Sequence, residues 1–302
     1  MQEQHRVGLQ YLETATTLLH RVRSIHPTAG LLEAADLHWW WRTPRSTDRV
    51  PQLFWFDRAG RPEAAVIITD WGDGVALDPI VMPNANPDRV RHVIERGLAH
   101  ASELGFESVE VVIDRADHVL REVLIGHGFI EERDNLLKVV DAWLTRADRT
   151  PVGSLDADYR LYSRLDTLDR PHHMIHRNGP DLESRLRQTS LYRPELDLLV
   201  LDASTRVAAY GLFWFDPETA TGLVEPMRTE PEHQRRGLAR HILTAGINLL
   251  EEAGAERIKL CFAPTNEAAR ELYLSVGFKP DKQTAVFLPR SGKREEKGER
   301  RE

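Results

Sequence analysis

The sequence predicts an α/β protein made of mixed sheets with helices on both faces, arranged as two successive units of one kind. Strand-like and helix-like runs follow the same order in each half. From the first helix of each half onward the halves align without gaps. Gly128-Phe129 matches Gly277-Phe278, Arg121-Glu122 matches Arg270-Glu271 and Arg91-His92 matches Arg240-His241, each pair 149 residues apart. A chain of 302 residues with a 41% apolar share can also fill two cores of ordinary size.

In the first half, 53–57 (LFWFD), 63–71 (EAAVIITDW) and 75–82 (VALDPIVM) are aliphatic and aromatic runs bounded by turn residues, and so read as strands. A helix over 89–104, a strand over 106–113 and a helix closing on Gly128-Phe129 follow. Pro151, Gly153 and the polar run to Asp158 mark a junction. The second half offers strands at 198–202, 207–215 and 222–229, a helix over 238–253, a strand over 257–262 and a helix from Asn266 to Gly277-Phe278. The expected division is 1–145 for the first unit, 146–157 for a linker, 158–290 for the second unit and 291–302 for a charged, disordered tail.

Composition narrows the function. A single cysteine excludes a disulfide framework and a thiolate metal cluster. A formal charge of −7 disfavours nucleic acid and acidic membrane as main partners. No segment reads as a signal peptide or is long enough to span a bilayer, so a cytoplasmic setting is expected.

The most informative stretch is Gln234-Arg235-Arg236-Gly237-Leu238-Ala239, set between a strand and a helix. A helix start leaves backbone N–H groups unpaired and carries partial positive charge, which favours an anion. Gly237 removes a Cβ where a diphosphate would approach, and Arg235, Arg236 and Arg240 add charge. The same residues also suit plain helix capping.

The pattern Q/R-x-x-G-x-G/A, with Ala239 last, resembles the acyl-CoA pyrophosphate loop of the GNAT N-acetyltransferases. The run from Asn266 to Phe278 (NEAARELYLSVGF) resembles that family's closing signature, N-x-x-A-x-x-L-Y-x-x-x-G-F, with Ala269 at its alanine. Each half therefore looks like a GNAT unit, whose fourth and fifth strands splay apart to hold the pantetheine arm. At the 149 offset Gly237 corresponds to Asp88, Gln234 to Ala85, Asn266 to Asp117 and Tyr273 to Leu124. A carboxylate at the glycine position opposes a diphosphate. The first copy is thus expected to have lost the cofactor, a layout similar to the tandem-GNAT class that includes mycothiol synthase.

The resemblance implies direct transfer of an acetyl group from acetyl-CoA to the amine of a small molecule by the second unit, with no metal, in a monomer or homodimer. Tyr273 stands where the family carries the acid that protonates the leaving thiolate; its other reading is a packed aromatic. Glu225 stands where several members hold the base, and alternation puts Glu225, Met227 and Thr229 on one face. An exposed glutamate or an ion pair with Arg228 is the other reading. The backbone of Met227, Arg228 and Thr229 is expected to pair with the pantetheine, and Pro226 suits a bulge or an edge. Asp78, which matches Glu225 at an offset of 147, is expected to stand apart from the chemistry.

Two of His172, His173 and His176 could share a helical face, but metal binding would need a third or fourth ligand that no nearby spacing supplies, so acceptor-pocket or surface histidines are expected. Cys261 reads as a buried apolar residue, with an acyl-cysteine intermediate as its other reading. Three adjacent tryptophans, Trp39 to Trp41, cannot all face one core, so at least one belongs to an interface or pocket. The acceptor pocket is expected from 169–192, the strand around Glu225 and the first unit. A non-catalytic acyl-CoA-binding scaffold and a protein lysine or N-terminal acetyltransferase are the competing functions.

Overall fold

The computed structural model describes residues 2–132, 138–145, 148 and 150–290. The expected charged tail and residues 146, 147 and 149 of the expected linker lie outside them. The first half runs β1 (Gln2–Arg6), α1 (Leu9–Ile25), α2 (Ala34–Trp40), β2 (Gln52–Phe56), β3 (Pro62–Asp70), β4 (Val75–Val81), α3 (Pro87–Glu103), β5 (Val111–Asp114), α4 (His118–Gly126), β6 (Phe129–Glu132) and β7 (Val140–Thr145). The second half runs β8 (Tyr159–Ser163), α5 (Ile175–Asn178), α6 (Leu182–Leu186), β9 (Asp197–Asp202), β10 (Val207–Asp216), β11 (Thr221–Thr229), α7 (Leu238–Ala253), β12 (Arg257–Phe262), α8 (Glu267–Val276) and β13 (Lys279–Pro289).

Strands β1 to β4 form one antiparallel sheet. A second sheet runs β5-β13-β7-β12-β11-β10-β9-β8, with β6 also on β13. Its order reveals a reciprocal exchange. β7, from the first half, lies between β12 and the start of β13. The end of β13, from the second half, lies between β5 and β6. Each half therefore completes the other's sheet, and 17 residue pairs of β13 and β7 among the described residues carry the seam by strand pairing that neither half supplies alone.

The strand expected over 106–113 begins only at Val111, because β5 turns away from β4. The two touch through Leu77 and Glu110, whose N–H and C=O meet at 2.8 Å, and through one bridge at Ala76. In the second half β11 and β12 pair in parallel only at Thr221–Leu223 against Arg257–Lys259, and then part. Both halves thus contain a splay.

Three cores hold this frame. One lies beneath α3 and α4, and another joins α7 and α8 to the face of β9 to β12. In the third, α1 buries Leu12, Ala15, Leu19 and Val22, spaced three or four apart, between the two sheets against Phe54, Ile67, Tyr210 and Trp214. That packing brings α2 over the splay of the second half.

Candidate active site

The QRRGLA loop leads into α7. Gly237 is the N-cap residue at φ 77°, and the preceding Arg235 is also left-handed at φ 60°. No side chain caps the helix start, and its first turn carries no acidic residue. A Cβ at Gly237 would meet nothing within 4 Å, so the space outside the turn is open. Gln234, Arg235, Arg236 and Arg240 are exposed around it, and Leu238 is buried beneath. The loop is fixed from below by His233, whose ring meets the Tyr159 hydroxyl at 3.1 Å. Arg240 donates to Ser275 Oγ at 2.7 Å, tying α7 to α8.

The matching helix start in the first half is built differently. Asn86 caps α3 by accepting from Arg89 N–H at 2.8 Å, Pro87 has no N–H to offer, and Asp88 sits in the first turn. The donors are used or missing and the charge is negative, so this turn repels what the other would attract.

Asn266 caps α8, its side chain accepting from Ala269 N–H at 3.1 Å. Two turns along, Tyr273 is buried against Phe262 and Phe278, with ring centroids 5.9 and 6.2 Å away. Burial pushes its hydroxyl up to about 12, so it keeps its proton at neutral pH. Cys261, at the end of β12, is exposed to the splay rather than buried as its type suggested. The walls of the splay, which keep bulk water from it, and then the fields of Glu225 and Asp36 raise its thiol. Cys261 lines the same cavity as Glu225, whereas Tyr273 is not among its lining residues and lies in the core beneath α7 and α8.

A bulge corrects the expected face of β11. Phe213 opposes Val224 but Gly211 opposes Met227, so Glu225 and Pro226 together face Leu212. The extra residue inverts the alternation beyond it. Met227 packs on the α7 side with Val224 and Phe213, while Glu225 faces α2. Trp214 Nε1 holds the Glu225 carbonyl at 2.7 Å. Met227, Arg228 and Thr229 pair with β10 on one edge, and β12 has already departed on the other. Arg228 bonds Glu230, not Glu225.

Glu225 meets Asp36, from the first turn of α2, in a direct side-chain hydrogen bond. Asp36 also accepts from Glu33 N–H at 2.6 Å, which fixes it. Two carboxyl groups in such contact share a proton. Burial, then the charge of Asp36, raises Glu225 well above the usual carboxylate range. Asp36 was missed in the sequence; the Glu33-x-x-Asp36 capping box was its only local signal. Lys259 and Asp141 form a buried pair at 3.2 Å nearby.

These groups open on a cavity of about 340 Å³ that crosses between the halves. Asp36, Asp78, Glu225, Lys259 and Cys261 line it, along with Trp40 and Trp71. Asp78, expected to stand apart, is thus in the same cavity as Glu225; burial and then the charge of Asp36 push its carboxyl up to about 7. Trp40 fulfils the expected pocket role while Trp39 and Trp41 are buried in the core. None of residues 169–192 lines this space. That segment docks on the first half instead, through Arg42 to Asn178, Trp41 to Gln188 and Arg185 to Asp48.

The histidine cluster acquires a third member that local spacing did not show. His172 and His173 stack at 4.5 Å and meet Asp197 at 2.9 and 3.1 Å. Met174 N–H donates to His172 Nδ1 at 3.2 Å, so Nε2 carries the proton and donates to Asp197. Tyr192 donates to the same carboxylate. His172, Asp197 and Tyr192 form a hydrogen-bonded network with His173 in ionic contact beside it, and a metal at His172 Nε2 would displace that proton and set Nδ1–H against a donor. His176 is exposed and apart.

Residues 159–278 match the acetyltransferase (GNAT) family. A stretch of 99 residues is 31% identical to a mycothiol acetyltransferase of Clavibacter michiganensis subsp. michiganensis, covering 33% of this chain and 31% of that protein. The mycothiol acetyltransferase of Beutenbergia cavernae is 31% identical over 100 residues, 33% of each chain. The match thus spans about a third of the length of these curated relatives. In three dimensions the chain is similar to a tandem GNAT protein from the clavulanic acid biosynthesis pathway, with a TM-score of 0.69 at 14% identity over 95% of this chain and 97% of that one. A GCN5-related N-acetyltransferase from Sphaerobacter thermophilus gives 0.60 at 12% identity over 95% and 94%. Two sheets with a splay in each, the loop at the start of α7 and these likenesses together show a fold of two tandem GNAT units, with residues 159–278 carrying the match to the acetyltransferase (GNAT) family.

Proposed function

We propose that this protein is an N-acetyltransferase that moves the acetyl group of acetyl-CoA directly to the amine of a small molecule, in the cleft of its second unit. One observation carries the reading: Glu225, raised by burial and by Asp36, stands where β11 and β12 part and lines one cavity with Cys261 of β12. An acyl-CoA fits what is there, because the α7 turn has free donors, open space at Gly237 and arginines, and the free edge of β11 continues from it. When bound, the thioester supplies the acyl carbon and a thiol leaving group.

The chain's own residues then divide the work. The backbone of 234–240 holds the diphosphate, with Arg235, Arg236 and Arg240 around it, and the edge of Met227, Arg228 and Thr229 aligns the pantetheine. Asn266 and Ala269 set the start of α8 beside it. Glu225 takes a proton from the ammonium form of the acceptor, directly or through water, and its raised proton affinity suits that exchange near neutral pH. Tyr273 keeps its proton until the sulfur leaves. The carbon–nitrogen bond forms as the carbon–sulfur bond breaks. We place the reaction in the cytoplasm; no helix among the described residues is long and apolar enough to cross a membrane.

The test is release of CoA thiol over a broad panel of amines, with Glu225→Gln beside the wild type. The variant should lose about 10²- to 10⁴-fold in kcat, recovered in part at high pH where free amine is present. No thiol release with any amine, or an unchanged rate and pH profile in Glu225→Gln, would overturn the assignment.

A further inference from the structure

The cavity does not end at Glu225. It continues from Asp36 and Asp78 into the splay between β4 and β5, the place in the first half that corresponds to the cofactor cleft of the second. Its walls there are Ile80, Val81, Val112, Leu120 and, from α1, Leu19 and Val22. Val112 lies on the opposite face of β5 from Val111 and Ile113, which belong to the core, and is half-buried. The carboxylates at the far end already have partners: Asp114 accepts from Ala116 N–H and Asp117 caps α4. A diphosphate has no cradle at this splay, since Asn86, Pro87 and Asp88 occupy the helix start.

We propose that this relic cleft holds the acceptor, and that the acceptor is an amphipathic primary amine. Its ammonium lies among Glu225, Asp36 and Asp78, and an extended apolar body runs between β4 and β5. The inference rests on the acetyl-transfer reading for the reaction, but the binding claim stands by itself. Charge complementarity fixes one end, because Glu225, Asp36 and Asp78 line one cavity whose own cation, Lys259, is paired with Asp141 at 3.2 Å, which leaves the three carboxyl groups to an incoming ammonium. The apolar side chains of Ile80, Val81, Val112, Leu19 and Val22 fix the other, and they match an aliphatic chain.

Calorimetric titration of the full chain with butylamine, hexylamine and octylamine tests it. Each added methylene should tighten binding roughly threefold to fourfold while the chain still fits. Val112→Trp should reduce octylamine affinity to the level of butylamine and leave acetyl-CoA affinity unchanged. A second variant, Val112→Glu, should weaken octylamine and strengthen 1,8-diaminooctane, a gain that misfolding cannot imitate. Affinity independent of chain length, a length dependence that survives Val112→Trp, or acetyl-CoA competing with octylamine for the cleft would overturn the proposal. Octylamine that binds as expected but releases no thiol would instead sink the acetyl-transfer reading and leave the cleft assignment standing.

Discussion

Replacing Asp78 by asparagine should stabilise the protein, and by an amount that grows with pH. Asp78 is 8% exposed, one of its oxygens has no partner, and Asp36 adds like charge. Its carboxyl rises from 3.8 to about 7. A carboxyl whose folded value exceeds its unfolded one favours the fold when protonated, and that contribution is lost as pH climbs through the folded value. Each pKa unit is about 1.4 kcal/mol, and about two of the three units of difference fall between pH 5 and pH 8. The wild type should therefore lose about 3 kcal/mol across that window that Asp78→Asn does not lose. Urea unfolding of both proteins at pH 5 and pH 8 reads the difference directly. Equal gaps at the two pH values would show that Asp78 titrates as a solvated carboxyl and that the cavity is wet.

Three other outcomes follow from the site. Gly237→Asp should abolish acetyl-CoA binding in calorimetry, where the wild type takes up one molecule per chain, since it strains a left-handed residue and adds negative charge at the turn. Tyr273→Phe should lower kcat with little change in acetyl-CoA affinity; an unchanged kcat where chemistry limits would make Tyr273 a packed aromatic only. Asp36→Asn removes the charge that raises Glu225, so the rise of the pH–rate profile should move toward lower pH, and an unmoved profile would count against the coupling.

The parts of this site that were legible in the sequence are local ones. The loop before α7, the Asn266 cap and the position of Tyr273 depend on residues within a few turns of one another, and turn chemistry is written in such neighbours. The face of Glu225 was misread because Pro226 signals a bulge without saying which alternation survives it. Asp36 was missed because its role arises only when α1 packs between the sheets and carries α2 to β11. Val140–Thr145 and Lys279–Pro289 are ordinary strand material, and nothing along the chain states which edge each will join.

That exchange of edges bears on how the protein comes into being. The strand that closes the first half is made more than 150 residues after the strands it joins, so the early half must wait, with an open edge, for its partner. Pairing across such a span is slow to nucleate. A duplication welded in this way is also hard to undo: a lineage that needs the chemistry of one copy only still cannot delete the other without unravelling the one it keeps.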